Sequence, residues 1–325
     1  MTTLLRRHPM LPVGVAFGAF LLLAPVFAER GTENDLWNMS FFVVLAAAWN
    51  LLGGLAGQVS LGYSAFVGIG AYTTVLLAKA GWSPWLTLPV GAALAAAFSV
   101  VVGLPTFRLR GPYFTIATIG VGEAVRVIAS GLDFTGGSSG LRMPAGTFDF
   151  TANYYAMVGL ALVTLALVAW LTQHAFGLAL EAIRQDIDGA EALGVNSTQV
   201  KLQAHAISSA LVAVAGGLFA TNFQYISPGS VFDFRLSLTI VLMPIVGGMG
   251  TLTGPVLGAM LFSYLQIKLL ASPALRDSYL FIYGGLLIVV MLFEPKGIVG
   301  RGERLIALWA RRRPEQPVAE ARRAS

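Results

Sequence analysis

Ten times between residues 10 and 293 the sequence settles into an apolar run long enough to cross a bilayer as a helix. A hydrocarbon core about 30 Å thick needs roughly 20 apolar residues per helical span. Inside it every backbone N–H and C=O must find a partner within the protein. The chain is therefore read as an all-α integral membrane protein, with spans expected near 10–28, 36–52, 58–78, 84–104, 112–130, 154–172, 204–222, 236–252, 254–270 and 279–293. Composition agrees: 11% of the 325 residues are charged and 56% are hydrophobic, whereas soluble domains carry about 25% charged residues.

The basic residues orient the spans. Arg6, Arg7, Arg108, Arg110, Arg184, Lys201 and the eight from Lys296 to Arg323 fall on one side, fourteen of 21. Cytoplasmic loops hold such an excess, so both termini are expected in the cytoplasm. The same bias accounts for the net charge of +5 without nucleic acid. A basic tail, 301–325, follows the transmembrane domain of 1–300. It can begin as an interfacial helix through Trp309 and rest on anionic lipid. The opening MTTLLRRHPMLPVGVAFGAFLLLAPVFAER also fits a cleaved signal peptide, although its apolar run is long for one. Losing it would leave nine spans with later orientations unchanged. No Cys is present, so disulfides and thiolate metal sites are excluded. His8, His174 and His205 have no metal or nucleophile spacing, so no metal, cofactor or catalytic residue is expected.

Two polar stretches interrupt the spans. GLDFTGGSSGLRMPAGTFDF, within the outer loop 131–153, is rich in glycine and turn residues; it is expected to fold back as a lid or docking surface, or to be a plain connector. GLALEAIRQDIDGAEALGVNSTQVK, residues 177–201, is helical in period. Ala179, Ile183, Ile187, Ala190 and Gly194 form one stripe, opposite Glu181, Arg184, Gln185, Asp188 and Glu191, while Asp186 breaks the pattern. Gly194 is placed to end the helix. Asn196, with Gln199 three residues on, is placed to cap the next. Surface helices that bind lipid are usually basic; this one is acidic on balance, so it suits a protein partner or a merely solvated connection.

The run EAIRQDIDGAEALGVN resembles the cytoplasmic coupling loop of ABC importer permeases. NLLGGLAGQVSLGYSAFVGIGAYTT (50–74), LRGPYFTIATIGVGEAVRVI (109–128), TGGSSGL (135–141) and VGGMGTLTGPVLGA (246–259) resemble the branched-chain amino-acid ABC permeases, and the second and third point to the M-type subunit. The resemblance covers about 36–300 in order. The maltose-type pattern, with its Pro after the loop, is absent, so that class's docking geometry is not carried over. The resemblance implies a transmembrane subunit working beside a second related permease, two cytoplasmic ATPase subunits and an extracytoplasmic binding protein. It also implies that Glu181, Arg184, Asp188, Glu191 and Gly194 of the loop couple ATP-driven motion to the spans. No G-x-x-x-x-G-K-[ST] occurs, so ATP binding is assigned to separate subunits.

Small residues recur at packing distance. Gly250, Gly254 and Gly258 are read as two small-xxx-small steps, as are Gly14 with Gly18 and Gly53 with Gly57. Pro244 and Pro255 flank Gly247 and Gly248, where a broken helix can pack tightly or gate. Glycine patterns at 54–71 and 247–259 suggest an internal duplication, but both lie at the inner face, which an inverted repeat does not predict. Glu123 and Arg126, at i and i+3 in one span, read as a structural ion pair or as groups facing the pathway or the partner permease. Ser60, Tyr63, Ser64, Thr115 and Thr118 are further pathway candidates, although Ser and Thr in spans often bond their own helix. Branched-chain amino acids are the expected cargo. Urea or an amide on the same architecture, and a stand-alone secondary transporter or channel, are the rivals; an integral-membrane enzyme lacks a catalytic cluster.

Overall fold

The computed structural model describes residues 30–271, except 145, 147 and 148, together with 284–285 and 297–299. The expected spans at 10–28 and 279–293, and the tail, lie outside the described residues. Eleven helices follow: α1 (Arg30–Asn50), α2 (Tyr63–Lys79), α3 (Pro84–Thr106), α4 (Pro112–Gly131), α5 (Phe150–Thr172), α6 (Ala175–Gln185), α7 (Ile187–Ala192), α8 (Ser197–Phe223), α9 (Pro228–Val231), α10 (Phe234–Gly247) and α11 (Gly254–Ala271). Two-residue strands β1 (Leu141–Arg142) and β2 (Tyr225–Ile226) pair antiparallel.

Among the described residues, six segments are long and apolar enough to cross a membrane: 31–55, 84–106, 112–131, 150–172, 197–223 and 228–247. The all-α expectation holds, and the predicted ends of α3 and α4 fall within two residues of the observed ones. Proline explains the starts. Pro84 and Pro112 stand in the first turn of their helices, where a missing N–H costs nothing and φ is already helical.

Helix α1 lies at the centre. Trp37, Phe41, Val44, Leu45 and Trp49 are all buried on it. Buried on every side, it carries almost no amphipathic signature, as a core helix should. It packs against α5, α8 and α11, and α8 packs in turn on α2 and α3. Helices α2 and α8 approach closely: a Cβ at Gly216 would overlap the carbonyl of Val67, and one at Gly70 the carbonyl of Ala213. Close backbone contact of this kind is the main source of helix association where lipid removes the hydrophobic drive.

Three expectations are corrected. The span predicted from 58 begins as a helix only at Tyr63, because Leu51–Leu55 is a π-turn and the chain then runs irregularly, with Gly57 at φ +72°. Gly250 is not on one helix with Gly254 and Gly258; it stands at φ +78° in the break between α10 and α11. The single helix expected over 179–194 is two helices. Asp186 is extended (φ −155°, ψ 116°) and its carboxylate accepts from the Asp188 N–H at 3.1 Å, starting α7. Asp favours such a cap over a helix interior, because its short side chain competes for backbone N–H groups.

The outer stretch folds back. Thr135 Oγ1 donates to the carbonyls of Ala129 and Leu132, and the Tyr225 hydroxyl donates to the Ser139 carbonyl at 2.6 Å. With Leu141 opposite Ile226 and Arg142 opposite Tyr225, the segment 133–142 is a folded platform at one end of the bundle.

Candidate functional site

Helices α6 and α7 lie at the opposite end of the 23-residue α5 from that platform, about 35 Å away at 1.5 Å per residue. Leu180, Ile183 and Ala190 are buried and hold the pair to the bundle, while Glu181, Arg184, Asp188 and Glu191 are exposed. Gly194 ends α7 at φ +88°, with the Val195 N–H returning to the Ala190 carbonyl at 3.1 Å. That left-handed turn is the reason for glycine here. Asn196 then caps α8, its side chain accepting from the Gln199 N–H at 3.0 Å.

The polar face is partly tied down. Arg110, between α3 and α4, donates to both carboxylate oxygens of Asp188, at 2.8 and 3.2 Å. The guanidinium holds the Asp188 carboxyl below its ordinary range, by hydrogen bonding first and charge second, and Asp188 raises Arg110 in turn. Both side chains are mostly exposed, so the pair orients the surface more than it stabilises it. The Ser197 hydroxyl donates to Glu191. At the tip stands Leu193, 86% exposed. Sequence reasoning missed it, although an isolated Leu beside a glycine turn was a visible signal.

Beneath α6 the two helix breaks meet. Asn50, buried at the end of α1, donates through Nδ2 to the Thr251 carbonyl and accepts through Oδ1 from the Gly250 N–H, both at 2.9 Å. A Cβ at Gly54 would lie 2.7 Å from the Gly250 nitrogen. On the far side of this junction Gly247 faces Gly254 and Gly258. A Cβ at Gly247 would overlap the Gly254 carbonyl, one at Gly254 the Gly248 carbonyl and one at Gly258 the Met243 carbonyl. Gly248 (φ 127°) ends α10, its N–H bonded to the Pro244 carbonyl at 2.8 Å.

The pathway candidates are drawn around the irregular stretch 56–62. Thr115 Oγ1 donates to the Val59 carbonyl at 2.8 Å, and Thr118 Oγ1 accepts from the Leu61 N–H at 3.0 Å. The Ser60 carbonyl takes the Trp49 indole N–H at 2.8 Å. Backbone groups that no helix satisfies are thus paired by side chains. Tyr63 bonds Ser208 at 2.7 Å, and Ser64 bonds Ser237 through both backbone and hydroxyl at 2.9 Å. Glu123 is apart from these five. It pairs with Arg126 on the exposed face of α4, beside Tyr113, Ile116, Val127 and Ile128. Among the described residues no group of His, Cys, Asp and Glu is placed to hold a metal.

A bundle of apolar helices, broken twice by glycine and carrying a short polar helix pair at one end, is the architecture of an all-α membrane permease. Residues 32–291 match the family described as branched-chain amino acid transport system / permease component. The chain is 32% identical over 316 residues to the high-affinity branched-chain amino acid transport system permease protein LivM of Escherichia coli, covering 86% of this chain and 73% of that one. It is 25% identical to BraD of Pseudomonas aeruginosa (83% and 95% covered), named as a permease of the same kind of system. It is 26% identical to the autoinducer 2 import system permease protein LsrC of Yersinia enterocolitica (85% and 81%). The chain belongs to the branched-chain amino acid transport permease family. No solved structure matches it.

Proposed function

We propose that the chain is a transmembrane permease subunit of an ABC importer whose cargo is a branched-chain amino acid such as leucine, isoleucine or valine. The observation that carries this reading is the family match over 32–291 together with the LivM relative. The chain acts as a translocation subunit, and ATP hydrolysis belongs to two separate cytoplasmic ATPase subunits. A second related permease and an extracytoplasmic binding protein complete the assembly. It sits in the bacterial inner membrane with both termini cytoplasmic, about ten spans and 177–201 as the coupling loop.

In this reading the ATPase grips α6 and α7 through Glu181, Asp188, Glu191 and the projecting Leu193. An exposed apolar side chain in a polar rim is how a small docking surface is anchored. ATPase closure shifts this pair, and the breaks at 56–62 and 248–253 let the spans answer, with Gly247, Gly248, Gly250, Gly254 and Gly258 as the packing and gating glycines. Alternating access follows only if the ATPase binds the inward and outward forms with different affinity. The pathway runs along Ser60, Tyr63, Ser64, Thr115 and Thr118, with Glu123 facing the partner permease. The Glu123–Arg126 pair supports a covered location for the exposed face of α4. Charges left facing hydrocarbon cost several kcal/mol, about 2.5–3.5 per group at a span centre on insertion scales. A sister permease on that face relieves this.

The test is uptake by the purified complex in liposomes, with leucine, isoleucine, valine and urea compared. ATP-dependent uptake of the three branched amino acids, and none of urea, supports the proposal. Urea uptake moves the cargo elsewhere, and ion-driven flux from this chain alone removes the ABC reading.

A further inference from the structure

Arg184 lies on the exposed polar face, as expected, and its side chain also touches the junction of the two breaks. A Cβ built on Gly57 would stand 3.2 Å from Arg184 Cγ and 3.8 Å from its Cα and Cβ. One built on Gly250 would overlap Arg184 Nη1 and lie 3.3 Å from Cζ. The stem thus crosses the first break and the guanidinium reaches the second. Both glycines have positive φ, +72° and +78°, and the missing side chains at both leave the space that the arginine fills. The breaks are also fastened to each other by Asn50, through the Gly250 N–H and the Thr251 carbonyl.

This geometry puts one side chain of α6 in contact with two interruptions of the bundle, α1 to α2 and α10 to α11. Helices without a continuous hydrogen-bond ladder across a break absorb φ/ψ change there. A side chain in contact with both breaks links a displacement of its helix to the two of them.

We propose that Arg184 is a positioning residue that ties α6 to both helix breaks, so that a displacement of the α6–α7 pair is delivered to α2 and α11 at once. The assignment rests on the reading of α6–α7 as the ATPase contact. It differs from a docking role, because Arg184, although exposed, is in contact with the protein's own backbone at both breaks.

The test uses the complete transporter, with its sister permease and ATPases, in proteoliposomes. In Arg184→Ala the ATPase still copurifies, and uptake falls more than hydrolysis, lowering substrate moved per ATP by about tenfold or more. A merely structural contact would instead lower yield, hydrolysis and uptake together. The chain has no Cys, so a Gly57→Cys/Arg184→Cys pair gives a second, independent reading. The 3.8 Å Cβ separation matches the mean of about 3.8 Å in disulfides. Reduced, the pair behaves as Arg184→Ala; oxidised, the bond restores the contact at the first break, which Asn50 fastens to the second, and uptake per ATP recovers in part, while the Gly57→Cys single variant is insensitive to oxidant. Unchanged uptake per ATP in Arg184→Ala, failure of the bond to form, or a bond that restores nothing overturns the proposal. If the wild-type complex retains no ATPase and imports nothing, the parent reading fails as well. If it does both and Arg184→Ala is indifferent, only the role of Arg184 is lost.

Discussion

Substituting Gly258 by Ala adds one methyl group at a tight point of the α10–α11 crossing. The new Cβ would overlap the Met243 carbonyl oxygen and lie 2.7 Å from the carbonyl carbon and 3.2 Å from Cα. All three are backbone atoms of a fully buried residue, so no side chain can swing aside. The two helices must separate by roughly 1 Å, giving up dispersion contact along the whole crossing. Overpacking of this kind costs about 1–3 kcal/mol, and more where only backbone can yield. Better helix propensity returns at most about 1 kcal/mol, so the net change is destabilising by about 2 kcal/mol. Gly159, on α5, is the control: a Cβ there meets nothing within 4 Å, and Gly159→Ala should be neutral or stabilise by up to about 1 kcal/mol. Heating the detergent-solubilised full chain and following the folded fraction by fluorescence-detected gel filtration compares the two. Gly258→Ala should melt several degrees below wild type and Gly159→Ala at or above it. Equal midpoints would refute the close-approach reasoning.

Asn50→Leu strands the Gly250 N–H and the Thr251 carbonyl where Asn50 now pairs both; both groups are half-buried, so each costs less than the about 1–3 kcal/mol of a fully buried one, and the two together should lower the same melting midpoint more than Thr118→Val, which strands the Leu61 N–H alone. The Arg110–Asp188 link has a pH signature. Because the folded-state Asp188 carboxyl is held below its ordinary value, the link is fully present above the ordinary carboxylate range and is lost as pH falls through the depressed folded value. Spin labels at 108 and 192 should show one narrow distance at neutral pH, broadening in acid, in high salt and, at every pH, in Asp188→Asn.

The bundle was legible where the signal is local. Apolar runs with proline in the first turn fixed α3 and α4, and Gly194 with Asn196 marked the α7–α8 junction, because caps and turns depend on adjacent residues. The split at Asp186 was half legible: the residue broke the stripe, but its preference for capping over continuing the helix was not followed through. What could not be read is pairing across sequence. Asn50 meets Gly250 and Thr251 some 200 residues on, and nothing in either segment names the other. The repeated glycine patterns at 54–71 and 247–259 pointed toward kinship without saying that the two breaks lie side by side. Arg184 is exposed on the polar face where the helical wheel puts it, but the wheel records direction, not the reach of a long side chain across its edge.

The central claim is that an ATPase grips the α6–α7 end. Leu193, 86% exposed at its tip, supports neither the bundle nor either break, so Leu193→Asp leaves the fold intact while placing a charge in any apolar socket that receives it. Copurification of the ATPase subunits with tagged Leu193→Asp, scored against wild type at equal permease yield and melting midpoint, measures the grip alone. The account predicts loss of most of the bound ATPase. Wild-type amounts on a normally folded Leu193→Asp permease would contradict it.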